Sequence, residues 1–282
     1  MHLCKSISDV RQLIQTLRLE KRQIGLVPTM GALHEGHLSL IDLANNDNTY
    51  SIASIFVNPT QFNNPEDLKK YPRTLENDLK LLEKRGCDAV FVPEASDMYP
   101  EKPFLQIGFG SLETELEGRF RPGHFSGVGL VVSKLFNIIQ PDRAYFGQKD
   151  LQQFYIIQSL VNQLSYPIQL TMAPIAREAH GLAMSSRNER LSAADRQEAA
   201  LLYQALSKAR EMLQHEENLM AARDKVLELF NSSPRLALEY FEVISTKDFK
   251  PLSEINDPGS TALCIAAEIG GVRLIDNLLL FS

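Results

Sequence analysis

Short apolar runs alternate with helical stretches over the first 175 residues, and no other feature constrains the fold as tightly. "QIGLVPT" (23–29), "YSIASIFV" (50–57), "DAVFVP" (88–93), "RAYFG" (143–147) and "IQLTMAP" (168–174) read as buried strands. Between them, helical spacing marks "LSLIDLANN" from a start near His37, "TLENDLKLLEKRG" (74–86), "GVGLVVSKLFNIIQ" and "LQQFYIIQSLVNQL". Leu75, Leu79 and Leu82 share one face of the second of these, and Gly86 suits a left-handed cap. Strands interleaved with helices predict βαβ units and a mostly parallel sheet over residues 1–175. Beyond 175 the order changes. Helical stretches at 192–214 and 218–231 precede "ALEYFEVIS" and "STALCIAAEIGGVRLIDN", read as two strands joined by a longer connection. This predicts a smaller α+β domain over 176–282.

The chain has 282 residues, 44% of them hydrophobic, enough for a sizeable core. A net charge of −6 gives no electrostatic reason to expect nucleic acid or an anionic membrane as partner. The most apolar segment, "GVGLVVSKLFNII", is broken by Ser133 and Lys134, so no spanning helix is expected. Near the N-terminus Val10, Leu13, Ile14 and Leu17 fit a helix face rather than a signal peptide. Cys4, Cys87 and Cys264 lack the close spacing of a zinc site or disulfide framework and suit a reducing compartment, the cytoplasm.

In open parallel sheets ligands bind at the carboxyl ends of the strands. The stretches to inspect are therefore "PTMGALHEGH", "NPTQFNNPED", "GQKDLQQ" and "PIAREAHGLAMSSRN". The first places His34 and His37 on a glycine-rich corner that leads into a helix. A helix start offers unpaired N–H groups and a positive dipole end, so the corner reads as an anion site. Gly31 and Gly36 allow close approach, and both imidazoles can donate hydrogen bonds to a charged phosphate. A histidine pair that caps the helix or faces solvent is the alternative. Zinc is disfavoured, because the spacing is not i, i+4 and no further Cys/His cluster follows.

At this point the sequence resembles a known family. "PTMGALHEGH", "SIFVNPTQF" (54–62), "YPRTLENDL" (71–79), "RPGHFSGV" (121–128), "PDRAYFGQKDLQQ" (141–153), "GLAMSSRN" (181–188) and "RLIDN" (273–277) are similar, in order, to the blocks of pantothenate synthetases. These are nucleotidyltransferase-superfamily enzymes with a His-x-Gly-His motif. The resemblance implies a Rossmann-like α/β catalytic domain, a homodimer, and condensation of pantoate with β-alanine using ATP and Mg²⁺. Pantoyl adenylate is the intermediate. It implies that His34, His37 and Lys149 act on the phosphates, with His37 the candidate proton donor. The ATP site would comprise Met30, Gly31, Ala32, Leu33, His34, Glu35, Gly36, His37, Gly147, Gln148, Lys149, Asp150, Ala176, Met184, Ser185, Ser186 and Arg187. Asp150 alternatively caps the next helix. Asn58, Gln61, Phe62, Gln153 and Met30 would meet pantoate or β-alanine. Asp78 is the candidate metal contact, with Asn at position 77 where some members are acidic. "ELEGRFRPGHF" (115–125) is expected to be a loop serving as a lid, with Arg121 and His124 as phosphate contacts.

Three other readings share some of these residues. A nucleotidyltransferase acting on a phosphate or alcohol would use the histidines without an amine acceptor. A relative of aminoacyl-tRNA synthetases would need a basic helical patch, which the sequence lacks. A nucleotide-binding module without catalysis would keep the glycine turns and not the charged groups.

Overall fold

In a computed structural model, which describes residues 1–63, 65–215 and 218–281, the chain divides into two compact units, Met1–Pro174 and Ile175–Ser282. The first unit holds a six-stranded sheet of β1 (His2–Cys4), β2 (Ile24–Thr29), β3 (Tyr50–Ile55), β4 (Ala89–Phe91), β5 (Arg143–Gly147) and β6 (Gln169–Ala173). Every pairing is parallel and the order is β1-β4-β3-β2-β5-β6. Its principal helices are α1 (Ile7–Leu19), α2 (Glu35–Asn46), α3 (Pro65–Lys70), α4 (Leu75–Lys84), α5 (Ala95–Met98), α6 (Glu117–Phe120), α7 (His124–Ile139) and α8 (Leu151–Gln163).

Strand periodicity sorts the core into two layers. Ile24, Leu26, Ile52, Ala144 and Phe146 face α1, α7 and α8, through Val10, Ile14, Phe136 and Ile157. Val27, Ala53, Ile55 and Tyr145 face α2 and α4, through Leu38, Ile41 and Leu82. With both faces covered, the strands read as continuous apolar runs. The expected α/β architecture is present.

The sequence reading missed β1, whose three residues are too few to show a period. It pairs with β4 at the sheet edge. Helix α2 starts at Glu35 rather than near His37, because the His34 side chain caps it. The expected lid loop at 115–125 contains α6 and the start of α7. Gln152 ties it down: its Nε2 donates to the carbonyls of Leu112 (2.8 Å) and Glu115 (2.9 Å), and its Oε1 accepts from the Glu117 N–H.

Strands β2 and β5 are neighbours, and the chain leaves β2 toward β3 but β5 toward β6, in opposite directions across the sheet. Such a switch point opens a crevice at the strands' carboxyl ends. The segments at 28–37 and 147–150 leave from there.

The second unit is a three-stranded antiparallel sheet, β7 (Ala237–Ser245), β8 (Thr261–Ile269) and β9 (Val272–Leu279), with α9 (Ala193–Glu198), α10 (Leu201–Gln214) and α11 (Leu219–Asn231). Leu206, Ala209, Val226 and Phe230 of the helices pack on Phe241, Leu263 and Ile265 of the sheet. The stretch expected as one final strand is a hairpin. Gly270 (φ +58°) and Gly271 (φ +70°) make the two-residue left-handed turn that returns β8 as β9. The helix expected over 192–214 is divided between α9 and α10.

Candidate active site

After β2 the backbone enters the left-handed region twice in succession, at Gly31 (φ +79°) and Ala32 (φ +51°). That conformation is costly for alanine and needs external support. Asp78, on α4 and only 1% exposed, supplies it. Its Oδ2 accepts from the Ala32 N–H (3.0 Å), and its Oδ1 from the Leu33 N–H (2.9 Å) and the Thr74 hydroxyl (3.1 Å). The Gly31 N–H donates to Thr29 Oγ1 (3.2 Å). A Cβ on Gly31 would lie 3.0 Å from Asp78 Oδ2, so the carboxylate and the missing side chain fit each other.

The two histidines form a reciprocal cap. The Gly36 N–H donates to His34 Nδ1 (3.1 Å) and the His34 N–H to His37 Nδ1 (3.4 Å). A ring nitrogen that accepts carries no proton, so each neutral imidazole keeps its proton on Nε2. The rings lie 4.1 Å apart, centroid to centroid. Burial, and then the Lys149 charge, bring His34 down to about 4; burial, and then His34, bring His37 down to about 3. Both rings are therefore neutral at pH 7, and each offers one Nε2–H donor.

Six backbone N–H groups of this corner are already engaged. The N–H groups of Gly31, Ala32, Leu33, His34, Gly36 and His37 all have acceptors within the chain. The imidazole side chains remain as donors. Lys149, in the one-turn segment after β5, acts electrostatically on both rings, as does Asp150. Its ammonium stands 3.9 Å from the Asp150 carboxylate. Residues 34, 37 and 149 thus share one corner of the crevice. Beside them Gly147 has open space where a Cβ would stand. Asp150 is the N-cap residue of α8 but makes no side-chain capping hydrogen bond, which leaves the capping alternative unsupported.

The family profile described as pantoate-beta-alanine ligase matches residues 2–279. The chain belongs to the pantoate–β-alanine ligase family. Pantothenate synthetase of Cytophaga hutchinsonii is 48% identical over 279 residues, covering 98% of this chain and 99% of the relative. That of Thermoanaerobacter sp. is 46% identical over 280 residues, covering 99% and 98%. Among solved structures, pantothenate synthetase from Thermus thermophilus superposes with a TM-score of 0.93 at 37% identity, over 100% of both chains. Pantoate-beta-alanine ligase from Francisella tularensis, complexed with beta-gamma ATP and beta-alanine, gives a TM-score of 0.82 at 36% identity, over 100% of this chain and 98% of that one.

The remaining residues expected from the pantoate–β-alanine ligase family divide into two groups. Asn58 is a structural knot: Nδ2 donates to Gln61 Oε1 (3.1 Å) and the Gly127 carbonyl (3.2 Å), while Oδ1 accepts from Thr60 and the Tyr99 hydroxyl (2.9 Å). Its amide is fully engaged, so it shapes the turn that carries Gln61. Tyr99, 41 residues downstream, gave no sequence signal for this part. Gly127 is obligatory there, since a Cβ would sit 2.2 Å from the Thr60 carbonyl oxygen. Gln61 also donates from Nε2 to Met30 Sδ (2.8 Å), and Phe62 packs edge-on against Tyr71. Gln153 differs from its neighbour Gln152: the latter is buried and saturated by 112–117, whereas Gln153 is half-buried with no partner for its amide among the described residues. His124 donates from Nδ1 to the Gln61 carbonyl (2.9 Å), which leaves Nε2 an acceptor and unsuited to a phosphate oxygen.

In the second unit, Ala176 and Met184 are paired, the Met184 N–H donating to the Ala176 carbonyl (2.9 Å). Ser185 caps the following turn by accepting from the Arg187 N–H (3.3 Å), and Arg187 is exposed. Among the described residues no group of three or more His, Cys, Asp or Glu is placed to hold a metal ion. Asp78 has both oxygens engaged by the corner and anchors that loop. No helix of the described residues is long and apolar enough to cross a membrane.

Proposed function

We propose that this chain is an ATP-dependent ligase that joins pantoate to β-alanine through pantoyl adenylate. The observation that carries the reading is the end-to-end relation to pantothenate synthetases, one of them solved with beta-gamma ATP and beta-alanine. The corner chemistry agrees with it.

A carboxylate is a poor acyl donor. Its attack on the α-phosphorus forms a mixed anhydride, and pyrophosphate leaves. The β-alanine amine then attacks the acyl carbon, and AMP carries away the bonding pair. In the first step negative charge grows on phosphate oxygens. The Nε2–H groups of His34 and His37 and the ammonium of Lys149 are donors and charge suited to it. Because His37 is neutral, it acts as a preorganised donor rather than as an imidazolium acid until a polyphosphate raises its affinity for protons. Gln153, with an unused amide, is suited to a pantoate hydroxyl or carboxylate, and Gln61 lies in the neighbouring turn. The 184–187 turn supplies hydroxyls and a guanidinium for the nucleotide.

Mg²⁺ enters this reading as the companion of ATP, held by phosphate oxygens and water, since among the described residues no group of three or more His, Cys, Asp or Glu would hold it alone. Three buried free cysteines suit a cytoplasmic enzyme, and the family implies a homodimer, which sedimentation velocity reads directly.

The test is to supply ATP and pantoate without β-alanine. Pantoate-dependent pyrophosphate release and a protein-bound acyl adenylate are expected, with AMP and pantothenate following when β-alanine is added. ATP binding without pantoate-dependent pyrophosphate would leave a nucleotide-binding module in its place.

A further inference from the structure

The "RLIDN" segment and Arg177 have no part in the chemistry above, yet they form a tightly built cluster of the second unit. Residues 176–184 make a narrow hairpin: Arg177 bridges Ala183, the Glu178 N–H donates to the Leu182 carbonyl (2.8 Å), and Gly181 (φ +105°) turns it. Asp276, on β9 and 3% exposed, grips the Arg177 fork at both oxygens, Nη1 to Oδ2 at 2.6 Å and Nη2 to Oδ1 at 2.9 Å. The same Nη1 donates to the Gly181 carbonyl (3.1 Å), and the guanidinium lies 3.8 Å over the Tyr203 ring. Tyr203 in turn leaves no room for a side chain at Gly181, where a Cβ would fall 2.7 Å from its Cδ1. At the far end Asn188, 1% exposed, donates to the Ala183 carbonyl and to Glu178 Oε1, each at 3.0 Å. The turn at 185–187 is held between these two anchors.

A buried ion pair is a poor way to gain stability, because desolvation offsets the attraction. What a bidentate pair does provide is direction. We propose that Arg177 and Asp276 are positioning residues, a clamp that holds the 176–187 hairpin in the one conformation that receives the nucleotide. This rests on the reading of 184–187 as a nucleotide loop. The clamp touches no reacting atom; its effect is to keep the loop in its competent shape before ATP arrives.

The test measures steady-state pyrophosphate release by the full chain. Arg177→Lys keeps the charge and loses the fork; Asp276→Asn keeps the volume and loses the charge. A loop competent for only about a tenth of the time raises the apparent dissociation constant about tenfold. Each variant is therefore expected to raise KM for ATP about tenfold while KM for pantoate stays within about twofold. The double variant is expected to be no worse than either single one, since the two act as a unit. A lower melting temperature with KM for ATP unchanged would make the pair purely structural and overturn the proposal. If either variant does not fold, Tyr203→Leu removes the stack without stranding a charge; a severalfold rise in KM for ATP supports the clamp, and no rise overturns it. Arg187→Ala separates the premises. A changed KM for ATP there with none in the clamp variants removes the clamp alone, whereas no change at Arg187 removes the nucleotide reading of the loop and the clamp with it.

Discussion

His34 and His37 differ from a pair of surface histidines in the backbone N–H that each Nδ1 accepts and in their partial burial. That bond selects the Nε2–H tautomer, and burial keeps the rings neutral. In the proposed reaction the contribution of such groups is a hydrogen bond to developing charge, worth about 10²–10³ in rate per donor. His37→Ala is expected to lower kcat by about that factor. His37→Gln, which retains an N–H donor, should recover part of it in a pre-steady-state burst of adenylate formation. Equal loss in both variants would mean that His37 works through proton transfer. Gln153→Ala is expected to raise KM for pantoate and to leave KM for ATP nearly unchanged. A wild-type pantoate KM would remove that residue from the acyl pocket.

At the scale of elements, the histidine corner is the entry to α2, and a different helix sets its shape. Two consecutive left-handed residues, Gly31 and Ala32, persist because Asp78 of α4 receives the N–H groups of Ala32 and Leu33. Asp78→Asn replaces one acceptor oxygen by a donor and leaves a buried N–H facing it, a loss of about 1–3 kcal/mol. Because the strain is released into the histidine corner, activity should fall further than stability. Thermal denaturation and kcat/KM for ATP measured on one preparation check this, and a variant that is less stable but fully active would contradict it. The same carboxylate reads as a metal contact in sequence and as a loop anchor in the fold. A lone Asp on an amphipathic helix carries no sign of which N–H groups will meet it.

For the whole molecule, the buried His124 and the partly buried His34 and His37 set a pH dependence of stability. His34 and His124 ionise at about 4 and His37 at about 3, against 6.5 for the free side chain. In acid the unfolded chain takes up protons from about pH 6.5 downward, while the folded chain refuses them until about 4. Stability contributed by these groups is thus present above 6.5 and lost as the pH falls to about 4, and to about 3 for His37. Urea midpoints measured for the unit that carries them should decline over that window, and His124→Gln should flatten the decline. A midpoint independent of pH there would show that the rings are not held neutral by burial.

Strand and helix alternation is written in local composition, because a sheet covered on both faces demands unbroken apolar runs such as "GLVPT" and "SIASIFV"; the α/β class of the first unit therefore followed from the chain alone, as did the family, from motif blocks spread from Pro28 to Asn277. Elements too short to repeat a period did not: β1 has three residues, and the Gly270–Gly271 hairpin was hidden within one apolar stretch. Residue type placed His34, His37 and Lys149 among the candidates, but only folding brought the third within electrostatic reach of the other two. The tertiary structure also separated Gln153 from Gln152, made Asn58 and Asp78 into supports, and gave His124 the opposite tautomer to the pair on α2. These distinctions depend on hydrogen-bond partners remote in sequence. A partner's identity is fixed by three-dimensional distance, which one-dimensional spacing does not contain.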